Sequence, residues 1–260
     1  MGRNGRPQTL GTQGGFGMAV LEGRRIGAAA PGPSSLARRN ALRLLDVDPE
    51  LAAGLPREEL ALATRHVVVP RVVAAAGVWR PPAEARGAIG LLVVDGLLTR
   101  DGLAFDRPDL QLSGPRDVID ARSVAGGTWR VVCDATLAVL DDRVLVAGRR
   151  WPELIAGVVR RLLDGQQEQH RLAAIATQSR VEDRLLSLLT HLASRWGCVT
   201  PAGLTLDLPL THEMLGRLVG ARRPTVSLAL GELAQIDAVQ RLPDGRWLIP
   251  SARVPERPAA

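Results

Sequence analysis

Arg222 and Arg223 stand side by side, with Thr225 and Ser227 just beyond them and Thr211 one short segment earlier. Side chains of these types bind anions; they do not by themselves make or break bonds. A guanidinium is a planar fork of donors that can hold two acceptors at once, whether phosphate oxygens or O6 and N7 of a guanine. Hydroxyl groups and helix N-termini donate to phosphate oxygens. The residue sets that carry catalysis are not in this sequence, which has no HExxH, no Gly-rich phosphate loop and no Ser/His/Asp set. We therefore expect no catalytic residues, no metal and no cofactor. The expected partner is double-stranded DNA, with Arg223 on a base edge and Arg222, Thr225, Ser227 and Thr211 on phosphates.

The elements that must position these residues are legible around them. Thr211 can cap a helix N-terminus, and Met214, Leu215, Leu218 and Val219 follow at helical spacing. Gly220 ends that helix, because glycine takes the left-handed conformation cheaply. A second helix restarts at 222–225. Pro224 is tolerated there because first-turn N–H groups lack intrahelical partners, and Val226, Leu230 and Leu233 supply a buried face. Two helices across so tight a bend form a helix-turn-helix, whose second helix presents its N-terminal end to the major groove. Asp244-Gly245, between runs at 239–242 and 247–249, is a hairpin turn signal and adds a wing. Upstream, 181–196 reads as a helix, with Leu185, Leu188, Leu189 and Leu192 packing beneath this unit.

At 260 residues the chain has room for two domains. Its 46% hydrophobic content excludes global disorder, and no apolar run approaches the ~20 residues of a membrane span. All 33 basic residues are arginine and the net charge is +6. That skew reflects a GC-rich genome more than function, although basicity suits a polyanionic partner. Cys133 and Cys198 form neither a CxxC pattern nor a disulfide framework. Both are expected to be buried inert thiols, with a redox switch at Cys133 as the alternative. Residues 1–35 are rich in Gly, Arg, Pro and Ser without apolar periodicity, so a flexible tail is expected. No hydrophobic stretch follows the early arginines to suggest a secretory signal, and Met18 stands as a second candidate start.

Residues 36–65 look helical, broken near Asp48-Pro49 and Pro56. From 67 to 145 the texture changes to β-rich runs: 66–73, 90–99 with a turn at Asp95-Gly96, and a strand pair within 129–140. Then Ile155, Val159, Leu162, Gln166, Gln169, Ala173 and Ala176 alternate spacings of four and three, the seam of a two-helix coil. Gln166 and Gln169 weaken its centre, which suits a helix that must adjust. Pro152 fits its first turn.

The segment 210–250 resembles the DNA-binding domain of the Crp/Fnr family of transcription regulators. Leu210-Thr211, Leu215-Gly216, Val219-Gly220, Arg223, Thr225-Val226-Ser227 and Leu230 fall in register with the family's pattern. Pro224 and Leu228 depart from it, standing where the family has a base-reading Glu and a second Arg, so a relative's operator sequence does not transfer. The resemblance extends weakly over 60–150, where the family has a cyclic-nucleotide-binding-like β-roll. The family's phosphate cassette pairs a Gly-Glu with a later Arg-Ser. Here Asp120-Ala121 replaces the first, Arg122-Ser123 comes too early, and Gly127-Thr128 lies near the second. The resemblance therefore implies a pocket that does not take cAMP, with any other effector unknown. The iron–sulfur cluster of some relatives needs more thiolates than two.

Together these readings predict an α+β protein: tail 1–35, β-roll sensor domain 36–150, dimerisation helix 151–178, winged helix-turn-helix 179–250 and tail 251–260. The expected function is that of a cytoplasmic, homodimeric, sequence-specific transcription regulator on a palindromic operator, with RNA polymerase as a further partner and no membrane association. Two other classes compete: a protein-interaction module whose winged helix has lost specific DNA binding, and a cupin-like enzyme. A cupin would need clustered His and carboxylate ligands on facing strands. Only His66 lies in the β-rich part, whereas His170, His191 and His212 fall in predicted helices.

Overall fold

The computed structural model describes residues 40–251 except 83, 84, 86, 105, 106 and 126. The predicted tail at 1–35 lies outside the described residues, as does all of 251–260 but Ser251. The described residues begin with β1 (Ala41–Arg43), α1 (Leu44–Val47), a 3-10 turn at Pro49–Ala52 and α2 (Arg57–His66). The roll follows: β2 (Val68–Ala74), β3 (Gly77–Trp79), β4 (Gly90–Ala104), β5 (Arg107–Ser113), β6 (Val118–Asp120), α3 (Ala121–Ala125) and β7 (Thr128–Leu140). All its strand pairs are antiparallel, along the path β1-β2-β7-β4-β5, with β3 also on β7 and β6 also on β4.

Two predicted features of the roll come out differently. Asp95-Gly96 is not a turn but an irregularity inside one long strand, where the β4–β7 register slips. Gly96 has φ 92°, and a Cβ there would lie 2.5 Å from the Ala135 Cα, so both conformation and approach demand glycine. Likewise 129–140 is a single strand rather than a pair. Leu92, Ala138 and Leu140 face one core with α1 and the 3-10 turn, while Leu91, Val93, Leu137 and Val139 face the roll interior. Strands buried on both faces lose the alternation that marks an ordinary strand.

After α4 (Asp142–Gly148), α5 runs unbroken over Pro152–Ala176, with Pro152 in its first turn. Leu154, Gly157 and Val158 seat its first half against the 3-10 turn. Asp48, fully buried, accepts from Arg161 Nε and Nη2 at 3.0 Å each and from Arg116 at 3.3 Å. These pairs hold α5, the 3-10 turn and the 114–117 turn together, and they stabilise Arg116 in its left-handed conformation, φ 73°. A lone buried carboxylate would be costly; two guanidiniums make it tolerable.

The C-terminal unit comprises α6 (Val181–Trp196), β8 (Cys198–Thr200), β9 (Gly203–Leu206), α7 (His212–Val219), α8 (Arg223–Gln235), β10 (Gln240–Arg241) and β11 (Trp247–Pro250). Its small sheet runs β10-β11-β9-β8. Leu185, Leu188, Leu189 and Leu192 are buried beneath α7 and α8, as their spacing predicts. This core also takes in Leu97, Leu110 and Leu112 of β4 and β5, so the two units share one apolar cluster. Cys133 is half-buried and burial pushes its thiol up, whereas Cys198 is exposed, against the expectation of two buried thiols. Among the described residues no helix is long and apolar enough to cross a membrane.

Candidate nucleic-acid interface

The helix pair 211–235 is built from the caps the sequence supplies. Thr211 is extended, φ −82° and ψ 157°, and its hydroxyl accepts from the Met214 N–H at 3.2 Å. At the other end Gly220 is left-handed, φ 67° and ψ 35°, and the Ala221 N–H closes on the Gly216 carbonyl at 2.7 Å. A Cβ at Gly216 would stand 2.5 Å from the Ala221 carbonyl oxygen, so this glycine permits the sharp return. Leu215, Leu218 and Val219 of α7 are buried beside Val226, Ala229, Leu230 and Leu233 of α8.

What remains outside is the predicted binding set. Arg222, Arg223, Pro224, Thr225 and Ser227 are all exposed. Arg222 is the N-cap of α8 without a side-chain cap bond, and Pro224 has no N–H to donate. The first turn of α8 thus presents orphan N–H groups beside two guanidiniums, the electrostatics of an anion site. Ser227 does more than its residue type suggests. Its hydroxyl donates to the Arg223 carbonyl at 3.1 Å and lies 2.8 Å from His212 Nδ1, tying the start of α7 to the first turns of α8. His212 is a residue that sequence reasoning missed, since only spatial closeness marks it. Thr211, His212, Glu213 and Arg223 line one shallow groove there.

The wing is a tight hairpin. Gly245 is left-handed with φ 87°, the Gly245 N–H reaches the Leu242 carbonyl at 2.9 Å, and Arg246 pairs with Asp244 at 2.7 Å. Arg241 stacks over Trp247, its guanidinium carbon 4.3 Å from the ring centroid. The wing is backed by β9 and β8, a hairpin at 198–206 that carries no turn dipeptide strong enough to read from sequence.

Several contacts fix this unit against the roll. Arg217 of α7 pairs with Asp101 of β4 at 2.7 Å. Trp196 donates from Nε1 to the Pro115 carbonyl at 3.1 Å, and a Cβ on Gly114 would press 2.7 Å from its ring. Beside it Arg195 binds Asp117 and lies 3.0 Å from Glu168, which meets His191 at 2.5 Å. Burial pushes the Glu168 carboxyl up, but hydrogen bonds and charge from His191 and Arg195 outweigh it and hold it below the usual range. Asp117 goes the other way, because burial raises it more than Arg195 and the Gly114 N–H lower it.

A groove of about 780 Å³ lies between β6–α3 of the roll and α5, where the resemblance would put a phosphate cassette. Asp120 sits at the head of α3, its carboxylate accepting from the N–H groups of Arg122 at 2.8 Å and Ser123 at 2.9 Å and from the Ser123 hydroxyl at 2.6 Å. Burial pushes this carboxyl up, but the Ser123 and Arg122 bonds prevail and keep it low. An anionic side chain thus occupies the first donors of α3.

The seven seam residues divide. Ile155 and Leu162 pack half-buried against the roll core, whereas Val159, Gln166, Gln169 and Ala173 are exposed and Ala176 is half-buried. Leu163, absent from the predicted seam, is 53% exposed beside Val159 at 47%.

The described residues thus form a three-helix winged domain joined by one long helix to an antiparallel roll. Residues 183–252 match the family model of the Crp-like helix-turn-helix domain. The C-terminal unit is therefore a Crp-like helix-turn-helix domain, and the chain carries the Crp/Fnr fold. Among curated proteins it is similar to the regulatory protein CysR of Synechococcus elongatus, 36% identical over 27% of this chain and 36% of that one. The global nitrogen regulator of the same organism is 38% identical over 20% of this chain and 23% of that one. The matches thus span about a third or less of those relatives. Among solved structures, CooA of Carboxydothermus hydrogenoformans superposes with a TM-score of 0.55 at 18% identity, over 70% of this chain and 83% of that one. A CRP-family transcriptional regulator of Thermus thermophilus gives 0.53 at 19%, over 71% and 93%.

Proposed function

We propose that this protein is a transcription regulator that binds a palindromic operator as a homodimer and does not respond to cAMP. The observation that carries this reading is the exposed N-terminus of α8, with Arg222 as an N-cap that makes no side-chain cap bond and Arg223 and Thr225 on its first turn. Arg223 reads a guanine through O6 and N7. Arg222, Thr225 and Thr211 hold phosphates, the first-turn N–H groups of α8 add to them, and Ser227, expected on a phosphate, instead braces that turn through the Arg223 carbonyl and His212. The outer stripe of α5, with Val159 and Leu163 exposed, supports pairing with a second copy. Two α8 helices would then meet successive major grooves, roughly 34–36 Å apart. Such a protein works in the cytoplasm, with RNA polymerase as a further partner.

The test is a salt titration of duplex binding by the full chain. Arg223→Ala should cost about 1–3 kcal/mol of specific binding and relax preference at one base pair per half-site. Arg222→Ala should weaken all sequences alike and flatten the salt slope. Wild-type affinity and selectivity in Arg223→Ala would sink the assignment of the reading residue.

A further inference from the structure

The outward face of α8 has an uncommon composition for a surface that meets a polyanion. At 100° per residue, the buried arc of Val226, Ala229, Leu230 and Leu233 leaves Pro224, Leu228, Gly231 and Gln235 at the centre of the opposite face. None of these four carries a charge. Pro224 is compact, and a Cβ placed on Gly231 would meet nothing within 4 Å. Leu228 is thus the one large apolar side chain on this stripe, and it is 67% exposed. It lies one turn beyond the two guanidiniums at the helix start, on the side of the domain away from its core.

An exposed leucine on a lone surface helix would need no explanation. On this face it does, because whatever reaches it must also tolerate Arg222 and Arg223 at the same end. Duplex DNA satisfies both demands. Its phosphates face the cations, and its major groove holds one apolar group, the C5 methyl of thymine. Leucine has no donor or acceptor, so it cannot read the hydrogen-bonding pattern of a base edge. It can only gain by covering a methyl group. The missing side chain at Gly231 lets the helix sit close to the groove floor on the next turn. Resting on the DNA-binding function proposed above, we propose that Leu228 is a specificity-determining residue, reading a thymine methyl by apolar contact in each half-site.

The experiment starts from duplexes that the full chain selects out of a randomised duplex pool, measured by fluorescence anisotropy. Each thymine in turn is then replaced by deoxyuridine, which removes the methyl and leaves the base pair. One symmetric thymine should respond, with roughly a four-fold loss per half-site and about fifteen-fold when both are changed, the worth of one buried carbon. Leu228→Ala should still bind but hold thymine and deoxyuridine duplexes equally, and an unchanged melting temperature would exclude misfolding. If the wild type binds its selected duplex and no thymine responds, or if Leu228→Ala remains as sensitive, the inference is overturned. Loss of self-association in Leu228→Ala without any change in DNA binding overturns it as well, by giving the leucine to a second copy. Failure to select any duplex brings down the DNA-binding reading itself, and that failure is visible before deoxyuridine is used.

Discussion

The dimer proposed above can be tested residue by residue along the exposed stripe of α5. Truncating Leu163 to alanine removes three carbons and truncating Val159 removes two. At about 0.8 kcal/mol per carbon, scaled by the 53% and 47% exposure that a partner can newly cover, the loss is about 2 kcal/mol per protomer. A two-fold interface counts each change twice, so Val159→Ala with Leu163→Ala should weaken the dimer by about 4 kcal/mol, roughly a thousand-fold in dissociation constant. Sedimentation equilibrium over nanomolar to micromolar protein reads this directly. Leu162→Ala is the internal control: it packs half-buried against the roll core, so it should lower unfolding stability and leave the dimer constant nearly alone. A shift below about ten-fold in the double variant, or a larger shift from Leu162→Ala than from the pair, would refute the assignment of this stripe.

Three other outcomes follow from the geometry. Saturating cAMP or cGMP should leave the melting temperature unchanged, since Asp120 occupies the donors at the head of α3 and a ligand selective for the folded state must stabilise it. Gly157→Ala should destabilise by up to about 2 kcal/mol: the helix-propensity gain is at most about 1, whereas the new methyl overlaps the Leu51 carbonyl and overpacking costs about 1–3; a thermal melt that rises contradicts this. Glu168, whose folded pKa lies below its unfolded value, adds stability that is complete above the unfolded value and is lost as pH falls through the folded one. In urea titrations the gap between wild type and Glu168→Gln should therefore narrow below about pH 5, and a gap constant with pH rules this out.

The helices of the winged unit were open to reading because each clue is local. The leucines of α6 recur at helical spacing, Thr211 and Gly220 bracket α7, and Pro224 marks a first turn. The roll was harder. β4 and β7 are covered on both sides near 91–93 and 137–140, so their residues do not alternate, and Asp95-Gly96 carries turn residues without turning. The two stripes of α5 show a different limit. Leu162 and Leu163 are neighbours, and apolar periodicity gives no reason to prefer one over the other. Only the position of the 3-10 turn and the roll core decides that Leu162 faces inward. His212 beside Ser227 belongs to the same class, a contact between residues fifteen apart that no spacing rule anticipates.

α5 is also a lever. Its 25 residues at 1.5 Å each span about 37 Å, with Leu154 and Val158 locked in one core and Ile175 in the other. A tilt of about five degrees at the roll end carries the last turn through about 3 Å, close to the rise of one base pair along a strand. A small displacement where Gly157 meets Leu51 would therefore arrive enlarged at Ile175, where the core of the winged unit begins.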